Sequence, residues 1–372
     1  MSAKFIVAAG GTGGHMVPAH AVARALERRG HEVALITDAR GAKIPGLFEG
    51  NDRDVIEAAT IGANPLKWPG AMLKIAKGRR QAAAILARKH VAAVVGFGGY
   101  PVLPAMLEAT KANVPTLIHE QNAVLGRVNR LLQKNVDGIA TSFAATARLE
   151  QGDKARLTGN PVRADVAAIA ETPFPAFDED LPLRILVLGG SLGASILSEV
   201  VPRGLASLPM PLKQRLQVVQ QVREEDMDAV ATLYRDAQIP ADLATYMQDV
   251  PAALTRAHLF IGRAGASTVA ELTAAGRPAI LVPLPIATDD HQAANTRELA
   301  ASGGGVMVRQ EAFTPAALAA QIVAMVEQPE TLANAAARAK TAGRPDAAER
   351  VADFAEELAH IRQPGQIMKE TA

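Results

Sequence analysis

Lys4-Phe5-Ile6-Val7-Ala8-Ala9 runs directly into Gly10-Gly11-Thr12-Gly13-Gly14-His15, and an alanine-rich periodic stretch follows from about Val17 to Arg29. An apolar β-branched run, a glycine turn and then a helical period is how an α/β domain opens. Such a turn brings backbone N–H groups and a helix N-terminus against an anionic ligand. The histidine closing the loop adds a titratable group that a simple phosphate cradle does not need. Two readings of His15 stay open: an imidazole capping the first helical turn, or a base or sugar ligand.

Outward from this opening, short apolar runs alternate with longer periodic ones. Strands are expected at 4–9, 33–37, 91–95, 114–118 and 137–141, and helices near 17–29, 71–89, 101–111, 124–134 and 143–151. That alternation predicts a parallel sheet covered on both faces. Residues 164–182, with three prolines and an Asp178-Glu179-Asp180 run, break the rhythm and read as a linker. The pattern restarts at Arg184-Ile185-Leu186-Val187-Leu188, which leads into Gly189-Gly190-Ser191-Leu192-Gly193-Ala194. Further strands are expected near 215–220, 258–261, 279–282 and 305–308, and tail helices at about 315–326, 330–341 and 345–361, with Asp346 as N-cap or first-turn acid of the last. The chain is therefore α/β, with two Rossmann-like parallel-sheet domains facing a cleft. Their spans are 1–163 and 183–345, joined by the linker 164–182, and a C-terminal helix and tail, 346–372, is expected to pack back on the first domain.

The 372 residues suit two domains, and 49% hydrophobic content supplies two cores that 3% aromatics make largely aliphatic. A net charge of +1 gives no reason to expect a nucleic-acid partner. The absence of cysteine excludes disulfides and thiolate metal sites. The N-terminus reads as a strand and not as a signal peptide, and no apolar run is long enough to span a bilayer.

Common nucleotide motifs fail. In G-x-G-x-x-G counted from Gly11 the third glycine falls at Met16, and counted from Gly189 the second falls at Ser191. Asp38 imitates a ribose-binding acid without the glycines that normally accompany it. Neither loop carries G-K-[ST], and His291 has no second histidine or carboxylate at a spacing that makes metal ligation compelling.

Other segments carry chemistry. Gly96-Phe97-Gly98-Gly99-Tyr100-Pro101 follows one expected strand and His119-Glu120-Gln121-Asn122 another. Polar groups at the carboxyl end of a parallel strand sit where α/β folds bind ligands. In Gly159-Asn160-Pro161-Val162-Arg163 the arginine is either a phosphate ligand or a surface group. Gly262-Arg263-Ala264-Gly265-Ala266-Ser267-Thr268 is a second glycine turn whose donors can take a diphosphate. Glu271 is either a ribose ligand or a capping-box partner of Thr268. Gln292 and Asn295, three apart in Asp289-Asp290-His291-Gln292-Ala293-Ala294-Asn295, share a helical face. Finally, residues 66–80 combine Trp68, Met72, Leu73 and Ile75 with Lys74, Lys77, Arg79 and Arg80. This is either a helix covering the sheet or a patch for an anionic membrane surface.

Taken in order, GGTGGH at 10–15, GFGGYP at 96–101, HEQN at 119–122, GNPVR at 159–163, GGSLGA at 189–194, GRAGASTVAEL at 262–272 and DHQAAN at 290–295 closely resemble the bacterial MurG glycosyltransferases of peptidoglycan synthesis. The resemblance spans nearly the whole chain and implies a GT-B architecture. It implies inverting transfer of GlcNAc from UDP-GlcNAc to the C4 hydroxyl of MurNAc in lipid I, giving lipid II and UDP. It further implies lipid I, anionic membrane lipids and other cell-wall synthesis proteins as partners, at the cytoplasmic face of the inner membrane, and no catalytic metal or tightly bound cofactor. By matching motif, Glu271 meets the ribose, and Ser191 with Gly265, Ala266, Ser267 and Thr268 meets the diphosphate. Met247 lies by the uracil, and Gln292 and Asn295 take the GlcNAc hydroxyls. Thr12, Gly13 and Gly14 border the donor, Asn122 reaches the sugar and Arg163 the nucleotide. His15 is the expected base and Glu120 its alternative, either as base or as an orienting group. Leu192 and Val222-Arg223 depart from the residues common in the family and bear on donor contacts. A UDP-GlcNAc 2-epimerase-like enzyme and a non-enzymatic UDP-sugar sensor or membrane scaffold are the competing readings; neither requires transfer to a lipid acceptor.

Overall fold

The computed structural model describes residues 2–59, 66, 68–190 and 193–360. Along β1 (Lys4–Ala8), Phe5 and Val7 pack on one face, Ile6 and Ala8 on the other, and all four are fully buried. A strand of this kind needs cover on both sides. It lies within a parallel sheet with β2 (Glu32–Thr37), β3 (Asp52–Val55), β4 (Ala93–Gly96), β5 (Thr116–Glu120), β6 (Gly138–Thr141) and β7 (Ala155–Leu157), in the order β3-β2-β1-β4-β5-β6-β7. Helix α1 (Gly13–Arg28) packs Met16, Val22 and Leu26 against the Phe5 face. On the Ile6 face lie α2 (Trp68–Lys89), α3 (Val102–Lys111) and α4 (Arg127–Leu132), through residues such as Ile85, Met106 and Leu132.

The second sheet contains β8 (Leu183–Leu188), β9 (Leu216–Gln221), β10 (Ala241–Ala244), β11 (Leu259–Gly262), β12 (Ala279–Leu281) and β13 (Gly305–Met307), all parallel, in the order β10-β9-β8-β11-β12-β13. Its helices are α5 (Ala164–Ala168), α6 (Ser195–Ala206), α7 (Met210–Lys213), α8 (Met227–Asp236), α9 (Val250–Arg256), α10 (Ala266–Ala275), α11 (His291–Asn295), α12 (Arg297–Ser302), α13 (Pro315–Val326) and α14 (Pro329–Thr341). In both sheets the strand order reverses beside the first strand, between β1 and β4 and between β8 and β11. Ligands of doubly wound folds bind at the carboxyl ends of the strands flanking such a reversal.

The chain divides into one unit of residues 1–163 together with the segment from Pro345 onward, and a second of Ala164–Arg344. The last helix, α15 (Ala347–Leu358), packs Val351, Phe354 and Ala355 into the α1 face of the first sheet. Ion pairs set its register: Arg29 reaches Glu349 at 2.6 Å, Asp353 at 2.8 Å and Glu356 at 2.7 Å, and Arg156 covers the Phe354 ring at 4.1 Å while pairing with Glu357. Asp346 stands at the N-cap position, but its carboxylate takes Arg350 instead of a backbone N–H.

Several sequence expectations change. Residues 143–151 form no helix. Ala147 bridges to Val124, and Arg148 takes a left-handed φ of 64°, which stops a helical run. The strands β3, β7 and β10 carry too little apolar pattern to be read. The stretch 164–182 is not a free tether: it starts with α5, and Phe174 and Phe177 pack against the second core around His258. Asp178 folds back to accept from the N–H groups of Asp180 and Leu181, so the acidic run there is a turn.

Each unit buries a neutral histidine. Burial pulls His119 down to about 4, against a hydrogen bond to Gly159 O, and pulls His258 to about 4, against one to Ala176 O. Both values lie below the usual 6.5, so the unfolded chain takes up protons first. Stability is therefore expected to fall as pH drops from about 6.5 to 4, read as a falling urea midpoint; a flat midpoint across that window contradicts the burial of both rings.

Candidate active site

In the first unit, polar residues gather at the carboxyl ends of β1, β4 and β5. Helix α1 begins at Gly13, four residues earlier than its apolar period suggests, so His15 stands in its first turn. Thr12 is the N-cap but gives no side-chain cap, and it is exposed together with Gly13 and Gly14. The His15 ring does not cap the helix either: its Nδ1 lies 3.1 Å from Gln121 Oε1. The ring packs on the turn after β4. A Cβ on Gly99, whose φ is +77°, would sit 3.3 Å from His15 Cδ2 and 3.4 Å from Nε2. Glycine is needed there both for the backbone and to keep the imidazole edge open.

Strand β5 runs two residues further than expected because His119 and Glu120 pair with Ala140 and Thr141 of β6. Glu120 is 2% exposed. Its Oε1 accepts from Asn122 N at 3.0 Å and Asn122 Nδ2 at 3.3 Å, and its Oε2 from Gly126 N at 2.7 Å and Asn129 Nδ2 at 2.9 Å. A carboxylate holding four donors orders the 120–129 turn and is poorly placed to collect a substrate proton. Asp38 has a similar job. Burial opposes its charge, but the N–H groups of Gly41 and Gly11, together with Arg40, outweigh that and hold its carboxyl below the ordinary range. It ties the loop after β1 to the chain after β2 and is no ribose acid. Asn122 and Arg163 are half-buried on this unit.

In the second unit, α10 is capped by Gly265, so Ala266, Ser267 and Thr268 form its first turn and present their N–H groups at its N-terminus. Neither Ser267 nor Thr268 is the N-cap, which removes the capping-box reading of Glu271, more than a turn along the helix. A cavity of about 410 Å³ opens beside the head of α6, lined by Ser195, Glu199, Arg263, Leu284, Ile286 and Gln310. Arg263 fixes this edge by donating to Val282 O at 3.1 Å, Pro283 O at 3.2 Å and Gln310 Oε1 at 2.8 Å. Met247 is half-buried just before α9, whose N-cap Asp249 accepts from Ala252 N. Arg223 lies over Gly193 and pairs with Asp226 and Glu225. Ser191 and Leu192 lie outside the described residues.

The chain's own contacts constrain three residues around α11. Asn295 is fully buried and its amide nitrogen donates to Ala264 O at 3.1 Å, so it braces the turn before α10. Gln292 is half-buried and its Oε1 accepts from Leu284 N, which leaves its amide nitrogen as the group to offer a ligand. Asp290 gives α11 no side-chain cap and pairs with Arg309 at 2.8 Å.

The 66–80 tract is also narrower than its composition. Ile75 is buried, as are Ala71, Gly78 and Ala82 along the same helix. Lys77 pairs with Glu57 at 3.3 Å and Arg79 with Glu108 at 2.5 Å. What faces outward is Leu66 (89% exposed), Trp68 (47%), Met72 (57%) and Leu73 (72%), with Lys74 and Arg80. Among the described residues no helix is long and apolar enough to cross a membrane, and no three His, Cys, Asp or Glu side chains converge as metal ligands.

His119 and Gln121 stand in the HEQN segment and Arg263 in the second glycine turn, but the sequence gives none of the three a role of its own, because each acts through partners distant in the chain.

Two doubly wound parallel sheets, each with a glycine turn and a helix head at its carboxyl edge, give the chain a GT-B fold, and the family matches make it a glycosyltransferase. The glycosyltransferase family 28 N-terminal domain matches residues 5–141, and the family 28 C-terminal domain matches residues 184–351. The UDP-N-acetylglucosamine--N-acetylmuramyl-(pentapeptide) pyrophosphoryl-undecaprenol N-acetylglucosamine transferase of Erythrobacter litoralis is 57% identical over 95% of this chain and 89% of its own length. The enzyme of the same name from Novosphingobium aromaticivorans is 56% identical over 96% of this chain and 92% of its own. The crystal structure of Acinetobacter baumannii MurG superposes with a TM-score of 0.77 at 32% identity, covering 96% of this chain and all of that one. The chain belongs to the MurG family of glycosyltransferases.

Proposed function

We propose that this chain transfers GlcNAc from UDP-GlcNAc to the C4 hydroxyl of MurNAc in lipid I, with inversion, using His15 as the base. The transfer itself follows from family membership at 57% identity over 95% of the chain. The role of His15 is supported by its ring at the carboxyl edge of the first sheet, anchored through one nitrogen. In a single displacement the acceptor oxygen forms its bond to the anomeric carbon as the bond to the UDP oxygen breaks. The hydroxyl proton passes to the base. The departing diphosphate gains charge, which N–H groups at the head of α10 are suited to hold. Glu271 on the same helix is the ribose ligand in this reading, with Met247 by the uracil. Asn122, Arg163 and the 12–14 turn complete the sugar and phosphate contacts. Glu120 acts by ordering Asn122.

Donor binding tests the second-unit assignment. Glu271→Ala removes a charged acceptor of two ribose hydroxyls, worth about 1.5–3 kcal/mol, so UDP affinity by calorimetry is expected to fall about 10- to 100-fold. Unchanged affinity puts the ribose elsewhere.

Lipid I carries its sugar on an undecaprenyl diphosphate, so the enzyme works at a membrane surface. The exposed Trp68, Met72 and Leu73 beside Lys74 and Arg80 fit peripheral docking on anionic lipid at the cytoplasmic face. Each cation near such a surface contributes about 1 kcal/mol, so Lys74→Gln with Arg80→Gln is expected to weaken binding to phosphatidylglycerol vesicles by about 30-fold. Equal binding by the two proteins counts against this patch.

A further inference from the structure

We infer that Gln121 and His119 form a positioning chain that fixes which nitrogen of His15 carries its proton, leaving Nε2 as the lone pair that receives the acceptor proton. The inference rests on His15 as the base and adds residues that do not touch substrate.

The chain is read from its far end. His119 Nε2 lies 3.0 Å from Gly159 O, and a carbonyl can only accept, so Nε2 carries the hydrogen. His119 is fully buried and neutral, so its Nδ1 is an acceptor and needs a donor. That donor is Gln121 Nε2, at 3.0 Å. The same amide nitrogen also lies 3.0 Å from Phe97 O and 3.3 Å from His119 O. With three acceptors around it, this position cannot be the amide oxygen, so the orientation of the amide is settled by its neighbours. Gln121 Oε1 therefore points to His15, 3.1 Å from Nδ1, and an oxygen can only accept. Nδ1 donates, and Nε2 is left with its lone pair beside Gly99, a residue with no side chain to cover it.

The energetic argument agrees. Gln121 is 3% exposed and His119 0%, so a flipped amide would strand buried donors and acceptors where water cannot replace them. Every link but the His15 edge is held by backbone carbonyls of three strand ends, those of Phe97, His119 and Gly159. The tautomer of the base is thus set by the sheet itself and not by solvent.

The test is nitrogen NMR of the whole chain labelled with 15N-histidine, with His15→Ala used to assign the signals. In the wild type, His15 is expected to show a protonated Nδ1 and an unprotonated Nε2. In Gln121→Met, which keeps the length without the amide, that preference should be lost. Its kcat should fall about 10- to 100-fold with KM for UDP-GlcNAc within about twofold, the scale of a misplaced catalytic group. A wild-type His15 that carries its proton on Nε2 overturns the chain without any variant. A Gln121→Met enzyme with normal kcat overturns its catalytic purpose. Full turnover by His15→Ala removes the base reading while the wild-type tautomer signal stands, so the two failures are told apart.

Discussion

His15→Ala is expected to lower kcat for GlcNAc transfer by about 10²- to 10⁴-fold, the contribution of a positioned general base, with UDP affinity nearly unchanged. The prediction follows from where the residue sits. His15 lies on the first unit, held by Gln121 and by the turn at Gly98 and Gly99. The groups assigned to UDP lie on the second. Removing the imidazole leaves α1 intact, because the ring makes no cap and the helix start is set by Thr12 and its backbone. A KM effect on the donor with kcat preserved would mean that His15 binds and does not take a proton. Rate measurements at saturating donor and acceptor, beside UDP calorimetry, separate the two.

Arg277→Ala is expected to destabilise the second unit by about 3 kcal/mol, a loss of about 10 °C in the midpoint of its thermal transition. Arg277 is 1% exposed and burial draws its guanidinium down to about 10, so it stays charged at neutral pH. Its partners are carbonyls: Leu254 O at 2.5 Å, Gly276 O at 3.1 Å and Thr255 O at 3.3 Å. Two of these belong to the last turn of α9, where carbonyls have no helical partner and a cation is favoured. Its backbone N–H meets Leu272 O at 2.8 Å around Gly276, whose φ of +62° closes α10. One side chain therefore joins the ends of two helices beside β11 and β12. Arg277→Lys should recover little, because an ammonium cannot span three divergent acceptors. A melt unchanged by either substitution would contradict this account.

The architecture was legible because its strands are buried on both faces. β1 and β8 fall on the short apolar runs 5–9 and 185–188, each leading into glycine, and runs of that length bounded by a turn residue read as buried strands. Three of the four edge strands, β3, β7 and β10, were not legible: β3 is Asp52-Arg53-Asp54-Val55, whose polar residues pair at the sheet margin, and only tertiary pairing makes it a strand. The same limit explains residues 143–151, where composition favours helix and the bridge from Val124 to Ala147 overrides it.

The site was legible as motifs and less so as roles. Glu120 and Asn295 stood in the right segments, but sequence does not show that one carboxylate is filled by four donors or that one amide is spent on Ala264 O. Gln121 was hidden for the opposite reason. It is one letter of HEQN, and its contribution depends on His15, which it meets directly, and on Gly159, which acts on it through His119; both lie far from it in the chain.

The measurement closest to the central claim incubates the protein with UDP-GlcNAc and a lipid I analogue with a shortened tail, and determines the anomeric configuration of the product by NMR. UDP release should require acceptor, and the product should be a disaccharide joined to C4 of MurNAc in the β configuration. Donor that binds without transfer, or a product that retains the α configuration, would contradict that claim.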